Sequence, residues 1–143
     1  MANPTLAAAG SWLADLEERL GNLTPFMEAV GLIVKNSALK NFDNQASPEG
    51  DQWASLHPRT IKERAAQGYG PTPILYRRGE LKDSIISVLQ SASVVSVGSP
   101  LPFAGVLHAG AETPSKIPAR PFIGITPADE LNIWAALAAH TGL

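Results

Sequence analysis

The sequence predicts an α+β fold: N-terminal helices, a small antiparallel β-sheet built on a hairpin and a late strand, and a C-terminal helix. Three observations carry this prediction. Apolar residues recur at helical spacing through the first third of the chain. Two β-branched runs of strand length stand close together in the second half. A complete helix-start signal precedes the C-terminal stretch. The length of 143 residues suits a single domain over 1–143. A chain of that size buries roughly two-thirds of its unfolded surface, enough for a core without metal or disulfides.

Leu6, Leu13, Leu16 and Leu20 form the first helical stripe around Asp15, Glu17, Glu18 and Arg19, with Gly21 placed to end it. A second helix restarts near Thr24, a candidate N-cap, with Pro25 suited to the first helical position. Its stripe is Phe26, Val30, Ile33, Val34, Ala38 and Phe42. Asn41 to Asp51 reads as a loop by composition, and Trp53 and Leu56 follow it. Trp53 fits two roles there, an interface anchor or a plug over the chain's own core. Arg59 to Gln67 is a short polar helix ended by Gly68.

Gly79 to Ile85 begins as a helical turn. Ile85 to Leu89 and Val94 to Gly98 then read as the two strands of a hairpin around Ser91-Ala92-Ser93. Phe103 to Ala109 is a single helical turn, Gly110 to Lys116 a loop, and Pro121 to Ile125 the late strand. Within that strand Phe122 and Ile125 are expected on the core side, with Ile123 opposite. Thr126-Pro127-Ala128-Asp129-Glu130 gives an N-cap, a proline at the first position and an acidic first turn. The helix it starts runs to about His140, with Leu131, Trp134, Leu137 and Ala138 expected on its apolar side.

Composition narrows the function classes. The net charge of -2, with 11 Lys and Arg spread along the chain, argues against a dedicated nucleic-acid binder. Arg77 and Arg78 with Lys82 read first as a solvated or salt-bridged face. The absence of cysteine excludes disulfides, thiolate metal sites and Cys nucleophiles. Met1 to Gly10 lacks the basic n-region of a signal peptide, and no apolar run approaches the ~18 residues of a membrane span. A soluble protein without membrane contact is expected.

The residues of chemistry are scattered. His57, His108 and His140 stand far apart with no HExxH pair, and read as surface or packing residues. Gly98-Ser99-Pro100 is not a nucleophile elbow, and Gly68-Tyr69-Gly70 lacks the rest of a dinucleotide fingerprint. The expectation is a structural protein rather than an enzyme, with no cofactor and no metal.

One composite pattern is more specific than its parts. It runs through Phe42, Pro48-Glu49-Gly50, Trp53, Leu56, Arg78-Gly79-Glu80-Leu81, Ser84-Ile85 and Val97-Gly98-Ser99. It continues through Pro102-Phe103-Ala104, His108-Ala109-Gly110 and Ile117-Pro118-Ala119-Arg120-Pro121-Phe122-Ile123-Gly124. This pattern resembles the phage virion morphogenesis family, which includes the tail-completion proteins of P2-like phages and related Mu-like proteins. The resemblance spans about Phe42 to Trp134. Phe103 stands where tyrosine is usual and Ile123 where leucine is usual.

The resemblance implies a late-acting component of the virion neck, made in the host cytoplasm, that completes the tail or stabilises head–tail joining. It implies a homo-oligomeric ring, most naturally a hexamer, around the DNA channel. Its neighbours would be connector, stopper or tail-terminator proteins, and packaged DNA would pass through without sequence-specific contact. Trp53, Arg78, Leu81, Phe103, His108, Arg120 and Phe122 are the candidate interface residues. Pro118 and Pro121 suit an edge strand presented to a neighbouring subunit, with the Arg120 guanidinium paired to a carboxylate on the same or an adjacent subunit, or else simply solvated. A stopper sealing the DNA-filled head, a DNA-binding accessory protein and, last, a hydrolase remain the alternatives.

Overall fold

The computed structural model describes residues 6–75, 78–113 and 116–142. Arg77 and the side chain of Leu6 lie outside the described residues. The elements in order are α1 (Leu6–Gly21), α2 (Thr24–Asn44), α3 (Pro58–Ala66), α4 (Glu80–Asp83), β1 (Ile86–Ser91), β2 (Val94–Gly98), α5 (Ala104–Ala109) and α6 (Pro127–Thr141). Helices at both ends and a β-hairpin between them make the predicted α+β fold.

Helix α2 is the spine, with the hairpin and α6 packed against it. Val34, Ala38 and Phe42 of its predicted stripe are buried, and Phe26, Val30 and Ile33 are half-buried. Pro25 lies in the first turn, one position later than expected, because Thr24 is already inside the helix and caps nothing. At the other end α2 runs past the predicted loop start to Asn44, because Asn41 and Phe42 are drawn into the interior. The turn that follows is closed by Gln45, whose left-handed backbone ends the helix, and by an antiparallel bridge between Ala46 and Gln52.

The hairpin pairs Ile86 with Gly98 and Val88 with Ser96, with an irregularity between Leu89 and Ser91 that absorbs the missing tight-turn dipeptide. Its inner face, Ser87, Leu89, Val95 and Val97, lies on α2. Gly31 permits this approach. A Cβ there would collide with the Ser87 hydroxyl and stand 2.9 Å from Val95 Cγ2.

Among the described residues the sheet has two strands, and the expected late strand at 121–125 does not join it. Pro118 and Pro121 have no N–H to offer a ladder, Arg120 N donates to Leu107 O of α5, and Pro121 O, Phe122 N and Phe122 O are claimed by side chains. The expected alternation changes with it. Phe122 is buried at 2% exposure, Ile123 packs partly on the core, and Ile125 is 62% exposed.

Helix α6 starts as the sequence predicts. Thr126 Oγ1 accepts from Asp129 N at 3.1 Å, and Asp129 Oδ2 accepts from Thr126 N at 2.9 Å. The same Oδ2 accepts from Ser37 Oγ of α2 at 2.6 Å, in the interior. That bond fixes the rotation of α6 about its axis. Asp129, Ile133, Ala136, Leu137 and Thr141 turn inward, while Leu131 and Trp134 are left 71% and 62% exposed, contrary to the predicted apolar side.

Helix α1 packs sparsely, with Trp12, Leu13 and Leu20 about half exposed and Leu16 half-buried. His140 reaches from α6 to Arg19 O at 2.7 Å. No helix is long and apolar enough to cross a membrane among the described residues.

Two substitutions test this packing by urea unfolding. Gly31→Val is expected to cost about 1–3 kcal/mol by forcing the hairpin off α2. Asp129→Ala removes both the cap and the partner of Ser37, and is expected to cost about 1.5–3 kcal/mol. Wild-type midpoints would show that neither contact holds the fold.

Candidate functional site

The most specific part of the sequence pattern, Ile117 to Gly124, folds as a strap across the core. Two backbone bonds with Ala111 close the loop before it, at 2.7 and 3.0 Å. Gly110, at φ +78°, lets it pass, since a Cβ there would lie 2.7 Å from Ile117 O and 2.8 Å from Ala119 N. Arg120 N donates to Leu107 O at 2.9 Å, and Phe122 N donates to His108 Nδ1 at 3.3 Å. Trp53 Nε1 donates to Pro121 O at 2.8 Å, and Asn41 Nδ2 to Phe122 O at 3.0 Å. Arg120 N, Pro121 O, Phe122 N and Phe122 O are thus satisfied without a strand partner.

Phe122 is the apolar centre of this arrangement. Its ring lies 5.1 Å from that of Phe42 and 5.0 Å, edge-on at 89°, from the His108 imidazole. Phe42 in turn meets Trp53 edge-on at 5.6 Å. These separations lie in the favourable range for aromatic pairs, each worth about 0.5–1.5 kcal/mol beyond area burial. Trp53, at 6% exposure, is therefore the plug over its own core.

Arg120 is 5% exposed and projects beside this cluster. No carboxylate of this chain pairs with it among the described residues; instead two loop carbonyls take one edge of the guanidinium, Nε donating to Ala54 O at 2.9 Å and Nη2 to Ser55 O at 3.0 Å. The fork geometry that suits a carboxylate suits two successive carbonyls equally. A second buried arginine, Arg64 of α3, does the same for the next loop. It donates to Gly70 O, Pro73 O and Ile74 O at 3.3, 2.9 and 2.6 Å. Burial and, secondarily, the Arg64 charge pull the Arg120 pKa below its ordinary value.

Both arginines line a recess of about 250 Å³, with Leu81, Leu107 and Phe103 on its walls and Arg78 and Glu80 exposed beside them. The structure thus brings Arg78, Leu81, Phe103 and Arg120 to one recess. His108, Phe122 and Trp53 form the aromatic cluster behind it. Arg64 and Asn41 were missed by sequence reasoning, because nothing in a polar helix or a polar loop marks one member as buried. His57 carries a local role instead, its Nδ1 accepting from Arg59 N at 3.2 Å to cap α3. No cluster of three His, Asp or Glu side chains suited to a metal occurs among the described residues.

The phage virion morphogenesis family matches residues 5–141, which takes in the strap, the recess and every helix described. The chain belongs to that family. Among curated proteins, this family member is similar to the candidate capsid assembly protein G of Escherichia phage Mu. They are 28% identical over 131 residues, covering 84% of this chain and 82% of the Mu protein. No solved structure matches it. Family membership assigns the chain a structural or assembly role in making phage virions.

The hydrogen bonds that hold the strap in this family member are testable by urea unfolding. Trp53→Phe keeps an aromatic ring but leaves Pro121 O without its donor, and is expected to cost about 1–3 kcal/mol. Arg120→Lys keeps the charge but cannot serve Ala54 O and Ser55 O together, with a similar expected cost of about 1–3 kcal/mol. Unchanged stability in both variants would show that these bonds do not hold the strap.

Proposed function

We propose that this protein is a structural component of the virion neck, where it completes the tail or stabilises the head–tail joint as a homo-oligomeric ring around the DNA channel. The observation that carries this reading is an apolar surface on an open ribbon. Ile86, Val88 and Val94, on the outer face of the hairpin, are 45%, 43% and 49% exposed, and a two-stranded sheet leaves an unpaired edge on each strand. A second apolar surface, Leu131 and Trp134, stands on α6. A ring needs two different patches per subunit, one for each neighbour, and two apolar surfaces on separate elements supply them. The ring encloses packaged DNA without reading its sequence, which suits a net charge of -2.

A stopper that seals the filled head has the same ring architecture. The Mu relative's description favours a second reading, a role in assembling the head itself. Disrupting the gene separates the three in lysates viewed by electron microscopy. Complete DNA-filled heads beside free tails are expected. Heads that lose their DNA would favour the stopper, a lack of filled heads would favour head assembly, and normal joined virions would sink all three. For the ring, Val88→Glu on the outer hairpin face is expected to abolish the oligomer seen by native mass spectrometry. Its effect on subunit stability should stay within about 0.5 kcal/mol, as for other surface changes.

A further inference from the structure

We propose that the recess lined by Arg64, Arg78 and Arg120 is a binding site for a carboxylate carried on an aliphatic stem. Arg120 is the decisive residue. One edge of its guanidinium, Nε and Nη2, is taken by Ala54 O and Ser55 O. Nη1 has no hydrogen-bond partner among the described residues, although the side chain is 5% exposed. Among the described residues no enclosed side-chain nitrogen or oxygen lacks a partner, so Nη1 is not sealed off, and Arg120 lines the recess. None of the ion pairs among the described residues involves Arg120. Its neighbour Arg64 carries the same sign of charge and adds, after burial, to the lowering of its pKa. A buried cation with a spare donor and a like-charged neighbour favours an incoming anion.

The walls choose the kind of anion. Leu81, Leu107 and Phe103 surround the arginines, so an entering group gains by bringing apolar atoms with its charge. A carboxylate on a short alkyl chain does this. A phosphate, hydrated on every side, does not. Arg78, exposed at this lining, adds a third positive group and holds Glu80 only loosely at 4.0 Å. The carboxylate comes either from a glutamate side chain of an adjacent protein or from a free short-chain acid, and both carry the same chemistry. This inference concerns the isolated chain and does not depend on where in the virion the protein acts.

The test is a titration of the ¹⁵N-labelled full chain at constant ionic strength, following the Arg120 Nε–H signal. The probes are sodium butyrate, N-acetyl-glutamate amide, sodium phosphate and sodium chloride. A saturable shift with butyrate in the millimolar range, absent with phosphate and chloride, is the expected result. Tighter binding of N-acetyl-glutamate amide than of butyrate assigns the site to a protein side chain, and the reverse order assigns it to a free acid. Arg78→Gln, which leaves the interior untouched, is expected to weaken binding about two- to fivefold, the range of a half-exposed ion pair. No saturable shift with either carboxylate, an equal shift with chloride or phosphate, or an undiminished affinity in Arg78→Gln would overturn the proposal.

Discussion

Two prolines in the stretch from Ile117 to Phe122 remove backbone donors, and the way that stretch is nevertheless held governs the rest of the protein. A chain segment that cannot ladder must have its remaining N–H and C=O groups satisfied some other way if it is to lie in the interior. Here the partners come from distant elements: Asn41 on α2, Trp53 beyond the following turn, and His108 and Leu107 on α5. Each of these must be in place for Phe122 to sink to 2% exposure among Phe42, Trp53 and His108. The strap therefore ties the end of α2 to α5 and sets where α6 begins.

The buried polar groups of the fold form a consistent pattern. Arg64 and Arg120 each close a loop by donating to its carbonyls, and Ser37 with Asp129 fixes α6 on α2. Loops that cross a small core carry carbonyls that water would otherwise have to reach, and a guanidinium serves two or three of them at once. In a chain with few strands, these long side chains take over the satisfying role that a larger sheet would fill. The interior positive charge that results is what gives the recess its preference for anions.

The surface has the opposite character. Residues with strong apolar side chains lie outside on the hairpin, on α1 and on α6, while the core beneath is modest. Single exposed apolar residues are ordinary, but alternate positions of one ribbon face exposed together are what an assembly surface requires. The protein keeps its buried hydrogen bonds in the strap and aromatic cluster, and the apolar side chains on its hairpin and α6 stay exposed.

Local features of this protein were legible in the sequence because their physical cause is local. Thr126, Pro127 and Asp129 start α6 through bonds within a single turn. The β-branched runs of the hairpin and the apolar period of α2 likewise need no knowledge of distant residues. The run around Arg120 and Phe122 marked the family for the same reason, since it is a contiguous string. What tertiary structure alone decided was which polar residue met which distant partner. Pro121 to Ile125 has strand-like composition, yet it became a strap because Trp53, Asn41 and His108 reached it first. Within the chain Arg120 meets the carbonyls of Ala54 and Ser55, some 65 positions away, which nothing local to Arg120 foretells. Leu131 and Trp134 fit the helical period of α6 but face outward, because a hydrogen bond between Ser37 and Asp129 across 92 positions sets the helix's rotation. Periodicity specifies that a helix has a face. Only the long-range bond decides which face is turned inward.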